Sequence, residues 1–253
     1  EGFYTVTVKS GLIYHFPVKQ NLKSGISVDH ITDRSGNRIT YVRNESGLAQ
    51  INTSSGSILD VTSQNGLIQK ITLRTKENPH RPLVRYEYNN KKELLAVYDA
   101  FDVPYRFEYG AKGLTKHTDR NNLSFVYEYD EACRCVYTSG DRGLYKYTFD
   151  YLPDRKTRVT DSLGNVSVLA YDENNLLLSE TDPLGNETRY EYTSAFLTAA
   201  VIDPLGRRTE YAYNDAGDVT AIIRPDGGKI RFAYDRNHNL IRVTDPAGNS
   251  WQQ

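Results

Sequence analysis

The chain has 253 residues with 31 basic and 32 acidic side chains, a formal net charge of −1, and enough material for one large β domain or two ordinary ones. The charges are spread evenly, without a basic stripe or an acidic tail, which argues against electrostatic docking on nucleic acid. No apolar run approaches the ~20 residues that cross a bilayer as a helix, and no signal-peptide pattern opens the sequence.

In chain order, the first 80 residues read as loosely punctuated β structure. Ser10-Gly11, Ser35-Gly36-Asn37, Asn44-Glu45-Ser46-Gly47, Ser55-Gly56 and Asn65-Gly66 separate strands predicted at Ile39–Val42, Ile58–Val61 and Leu67–Leu73. Residues 1–80 are therefore read as diverged copies of the hairpin that recurs more regularly over 81–253, the whole being one continuous segment. Lys76–Pro82, with Pro79 and Pro82, is the predicted irregular connection. Nowhere does a helical pattern of useful length appear. Cys133 and Cys135, the only cysteines, lack further soft ligands in sequence and read as ordinary thiols, in keeping with a reducing cytoplasm.

From residue 81 onward a period dominates. Turn segments start at Asp161, Asp182, Asp203, Arg224 and Asp245, each step being 21 residues, and Asp119 lies two steps earlier. Three of them read Asp182-Pro183-Leu184-Gly185, Asp203-Pro204-Leu205-Gly206 and Asp245-Pro246-Ala247-Gly248. Proline pre-sets φ at the second turn position, and the glycine two residues on accepts positive φ. Ten residues after Asp119, Asp161, Asp182, Asp203 and Arg224 comes an aromatic residue, Tyr129, Tyr171, Tyr192, Tyr213 and Tyr234, with Asp99 leading to Tyr109 by the same offset. The segment between alternates, as in Thr188, Tyr190 and Tyr192 against Glu187, Arg189 and Glu191. That is the signature of an antiparallel strand with one aromatic and one charged face. The tyrosines are predicted to occupy equivalent places on one sheet face. A second turn follows, as in Asn214-Asp215-Ala216-Gly217, and a returning strand carries Val219, Ile222 and Ile223. Its apolar residues fall on both parities, which leaves its faces unassigned.

Tandem units such as Tyr213-Asn214-Asp215-Ala216-Gly217-Asp218-Val219 and Tyr234-Asp235-Arg236-Asn237-His238-Asn239-Leu240, alternating with the Asp182, Asp203 and Asp245 turns, resemble the YD repeats of the Rhs family. The segments His80–Tyr88, Asp119-Arg120-Asn121 and Asp141–Tyr145 look most like bacterial Rhs polymorphic toxins. The resemblance implies an all-β fold of tandem ~21-residue hairpins in a long, curled antiparallel sheet, part of a hollow shell around a C-terminal toxin. It implies a type VI secretion effector of bacterial competition, made in the bacterial cytoplasm and then secreted or injected into a target cell. The implied partners are the remaining shell and toxin of the parent polypeptide, and secretion-spike proteins. Two strands per repeat advance a sheet by ~10 Å, so about twelve repeats would run past 100 Å, and sheets of that size twist and curl. The self-cleavage motif and variable toxin of the family are not recognisable here.

Other chemistry is weighed against packing. Twenty tyrosines could form a sugar-stacking ladder, yet strict parity favours sheet packing. The turn aspartates could bind calcium, but they lack the Gly-Gly-x-Gly-x-Asp spacing, and capping their own turns is explanation enough. Asp29-His30 and His117-Thr118-Asp119 invite a triad without placing a nucleophile beside a base. The expectation is a non-catalytic shell segment without catalytic, cofactor or metal residues. The alternative is a cell-surface adhesion or glycan-binding array on the same repeats. Methionine is absent and the sequence stops within a repeat, so both ends read as cut. Self-association through open strand edges is then expected of the isolated segment.

Overall fold

The computed structural model describes residues 2–18, 25–75 and 80–252. These contain 24 strands, one three-residue 3-10 turn at Asp141–Gly143, and no α-helix. The chain divides into two compact units, Glu1–Phe125 and Val126–Gln253. Strand Ser124–Tyr129 lies across that division.

Within the first unit, strands from Phe3–Thr7 to Gly113–Thr118 form an antiparallel meander in which each pairs with its neighbours in sequence. Arg38–Asn44, Gly47–Thr53, Ile58–Gln64 and Leu67–Arg74 are seven or eight residues long. The last two meet at Asn65-Gly66, where φ of 53° and 79° gives the paired positive angles of a tight two-residue hairpin turn. Irregular backbone was expected over Lys76–Pro82, but Pro82 belongs to strand Arg81–Tyr88. It faces Thr72 where the register shifts between Ile71 and Thr72, so a bulge absorbs the missing N–H. Residues 76–79 of that stretch lie outside the described residues.

The second unit repeats a shorter hairpin, with strands of five and six residues from Cys135–Gly140 to Leu240–Thr244, followed by the three-residue strand Ser250–Gln252. Again every ladder is antiparallel and joins sequence neighbours. Strand Glu187–Tyr192 alternates exposed Glu187, Arg189 and Glu191 with half-buried Thr188, Tyr190 and Tyr192, as its sequence parity requires.

Among the described residues, neither unit packs a second layer over its sheet. The buried apolar residues among those described are Val61, Ala96, Ala200 and Ala221, and no large side chain is fully buried. The returning strands explain themselves in this setting. Ala200 stands opposite Glu191 on one side and Glu210 on the other, so it shares the charged face, whereas Val201 stands opposite Tyr190 and Thr209 on the aromatic face. Apolar residues occur on both parities because the charged face is itself roofed by long arginine arms. Arg208 reaches across the strand that carries Ala200 to pair with Glu191 at 2.7 Å, and also meets Glu210 of its own strand at 2.8 Å; Ala200 is 0% exposed.

Candidate functional site: the repeat hairpin

Each Asp-Pro-x-Gly turn is a three-residue loop closed at both ends. Asp182 N–H donates to Asn186 O at 2.9 Å and Gly185 N–H donates to Asp182 O at 3.0 Å. Gly185, Gly206 and Gly248 take φ of 85°, 78° and 92°, completing a turn with a glycine bulge. Pro183, Pro204 and Pro246 hold the position after the aspartate, where no N–H is needed. The carboxylate organises the loop: Asp182 Oδ1 accepts from Leu184 N–H and Asn186 N–H at 2.9 Å, and Oδ2 accepts from Asn186 Nδ2 at 2.8 Å. Asp245 binds Asn249 in the same way, and Asp203 binds Arg207 N–H and its guanidinium. These donors, with the Asn186 side chain foremost, hold the Asp182 carboxyl below its ordinary range, and Asn165 and Asn249 do so for Asp161 and Asp245.

A carboxyl lowered in the folded state contributes stability above its unfolded value, near 3.8, and loses it as pH falls through the folded value. Acid unfolding is therefore expected to begin below about pH 3.8, and Asp161→Asn, Asp182→Asn and Asp245→Asn combined should flatten that limb. Circular dichroism at successive pH values is the check. An acid limb of the same steepness in the triple variant would remove these turns from the account.

The second turn of the repeat has the same geometry with different residues. Asp172 Oδ1 accepts from Asn174 and Leu176 N–H at 2.8 Å, and Asn214 and Asp235 act alike. Its left-handed position, however, is held by Cys133, Asn175, Phe196 and His238 as well as by Gly217. Glycine is thus favoured there, not required. A Cβ on Gly206 would meet open space, so only backbone strain opposes substitution. Gly206→Asn should cost under about 0.5 kcal/mol and Gly206→Val about 1–2 kcal/mol, because β-branching disfavours positive φ. Equal melting temperatures for the two variants would contradict this.

The repeat tyrosine stands where the ladder slips. Tyr171, Tyr192, Tyr213 and Tyr234 each occupy a register shift against the returning strand, and Tyr88 and Tyr109 do so in the first unit. On the other side of Tyr192 and Tyr213 the ladder to the preceding strand has already ended, at Arg189 and Glu210, leaving a carbonyl for the phenol. Tyr192 Oη–H donates to Leu177 O at 2.8 Å and Tyr213 Oη–H donates to Thr198 O at 2.8 Å. The same bond joins Tyr88 to Ile68 O and Tyr151 to Cys135 O. Burial pushes the phenols of Tyr88, Tyr109, Tyr129, Tyr151, Tyr192 and Tyr213 above the ordinary tyrosine value. Tyr88, Tyr151, Tyr192 and Tyr213 are therefore staples, each tying its strand to the preceding one.

Tyr151 was invisible to a strict 21-residue count. The turn around Asp141–Gly143 has gained one residue, and the next turn, Leu152 to Lys156, has lost one. The period of 42 between Asp119 and Asp161 survives while the tyrosine between them moves by one place.

The remaining sequence candidates do not assemble a nucleophile. His30 Nδ1 lies 2.8 Å from Asp29 Oδ2, but its ring stacks on His15 at 4.0 Å, and His15 Nε2 is bonded to Thr32 Oγ1. His117 is sandwiched between Tyr105 and Phe125 at 5.3 and 5.1 Å. Cys133 lies in a turn and Cys135 begins a strand, so the two do not share a strand face. Among the described residues no group of three or more His, Cys, Asp or Glu could hold a metal ion.

The family model described as RHS Repeat matches residues 171–196 and 197–229. Two proteins of Dickeya dadantii (strain 3937) are similar in sequence. "Probable deoxyribonuclease RhsB" is 34% identical over 164 residues, 64% of this chain, and "Probable deoxyribonuclease RhsA" is 33% identical over 161 residues, 62% of it. The match spans 11% of the length of each of these relatives. Among solved structures, the Photorhabdus luminescens Tc holotoxin pore aligns with 95% of this chain and 16% of its own at a TM-score of 0.62 and 12% identity. The TcdB2-TccC3-TEV structure aligns with 90% of this chain and 16% of its own at 0.56 and 13% identity. These likenesses concern the fold.

Proposed function

This chain belongs to the Rhs/YD-repeat family, and from that premise we propose that it is a stretch of the wall of a hollow shell. The shell would enclose a C-terminal toxin domain of a longer polypeptide and help deliver it. The observation that carries this reading is the single-layer meander, with rings stapled repeat to repeat on one face and ion pairs bridging strands on the other. Such a sheet is built to extend and to exclude, not to focus reactive groups in a pocket. Steric enclosure needs a continuous wall and no chemistry of its own. The nuclease activity in the relatives' names then belongs to parts of the longer polypeptide outside these repeats.

Two measurements test the proposal. The 253-residue chain should leave plasmid DNA intact with added divalent cations. In the longer polypeptide, deleting three repeats, residues 171–233, should expose the C-terminal domain to protease. DNA cleavage by the repeats alone, or a C-terminal domain equally protected after the deletion, would defeat the reading.

A further inference from the structure

Where the repeat slips its phase, the aromatic face opens into a cavity of about 510 Å³. Phe149 and Tyr151 of strand Tyr147–Leu152 and Tyr171 of strand Val166–Tyr171 line it together with Leu169, and Arg155 and Lys156 stand at its rim. Arg134 lines it too, but its guanidinium is already engaged, 4.1 Å over the Tyr151 ring and 2.7 Å from Asp130 Oδ2. Arg155 and Lys156 differ: neither side chain has a hydrogen-bond or ion-pair partner among the described residues.

Arg155 is also misplaced by the rules of turns. It follows Asp154 in the left-handed region, at φ 55° after 58°. Glycine or asparagine would rest there with less strain than arginine. The hairpin holds it there, as it holds Asp154 before it, and its exposed charge stands beside an apolar cavity.

We infer that this cavity binds an extended peptide segment that carries a carboxylate two residues from an apolar side chain. In extended chain, residues two apart point the same way about 6.8 Å from each other. That spacing delivers the carboxylate to Arg155 and Lys156 while the apolar group enters between the rings and Leu169. Charge complementarity selects an acidic partner, and the two cations are too few for the phosphate track of a nucleic acid. Arg134 already covers one face of the Tyr151 ring, and the hydroxyl is bonded to Cys135 O, so neither that face nor the hydroxyl is open to a base.

The test uses the full chain and a fluorescein-labelled, end-capped peptide of alternating glutamate and serine on one face and leucine on the same face two residues on. Fluorescence anisotropy should report saturable binding, weakened roughly tenfold when salt rises from about 50 to about 500 mM. Versions with lysine for glutamate, or serine for leucine, should bind at least roughly fivefold more weakly. Arg155→Gly with Lys156→Gln should weaken binding roughly tenfold while leaving the melting temperature unchanged or higher, because glycine relieves the turn. The proposal is overturned if the acidic peptide fails to bind at about 1 mM. Undiminished binding by the double variant overturns it too, as does a single-stranded oligonucleotide binding more tightly than the peptide.

Discussion

Tyr213→Ala is expected to lower the unfolding free energy by about 3 kcal/mol, and Tyr213→Phe by about 1 kcal/mol. The larger loss combines a half-buried ring with its hydroxyl, which is bonded to Thr198 O at 2.8 Å. The smaller isolates that bond: phenylalanine keeps the ring but leaves the Thr198 carbonyl without its phenol donor. Urea titration gives both values. Hydrogen exchange locates them, since the loss should concentrate in Thr198–Ile202 and Arg208–Tyr213, which the ring joins. A phenylalanine variant with an unchanged midpoint would show the hydroxyl to be idle.

The second large effect is expected on the other face, at Ala200→Leu, with a cost of about 2 kcal/mol. Ala200 is 0% exposed although it lies on the charged face, because Arg208 crosses its strand to meet Glu191 while also holding Glu210 on its own strand. The Arg208 hydrogen bonds hold Glu191 below the usual glutamate range, which marks the pair as a settled contact. A leucine would lift that arm off Glu191. Removing the arm first should make the leucine harmless, so Ala200→Leu in an Arg208→Ala background should cost clearly less than alone. Additive losses in that double-mutant cycle would mean that the arginine does not roof the alanine.

Much of this was legible from residues alone, and what was not has identifiable causes. The Asp182 and Asp203 turns and the alternation of Glu187–Tyr192 are local chemistry, visible wherever proline, glycine and a period of two occur together. The faces of Thr198–Ile202 were not legible, because they depend on side chains reaching in from two neighbouring strands. Tyr151 escaped because paired length changes in flanking turns cancel over two repeats. Pro82 reads locally as a break, yet a bulge across the ladder accommodates it within strand Arg81–Tyr88. Phe196 and Cys133 in left-handed turn positions likewise run against local preference, and the rest of the hairpin holds them there.

Pairing confined to sequence neighbours has a kinetic consequence. Within each unit, most strands find their partner after a loop of only a few residues, so closing one hairpin brings the next strand's edge into place. Loop-closure entropy is then lost in small instalments, and ordering can spread like a zipper from any formed hairpin, on the microsecond scale of hairpin closure per step. Such a sheet need not wait for its far end to be synthesised. It can grow behind the ribosome one repeat at a time, each new tyrosine fastening the strand just laid to the one before it.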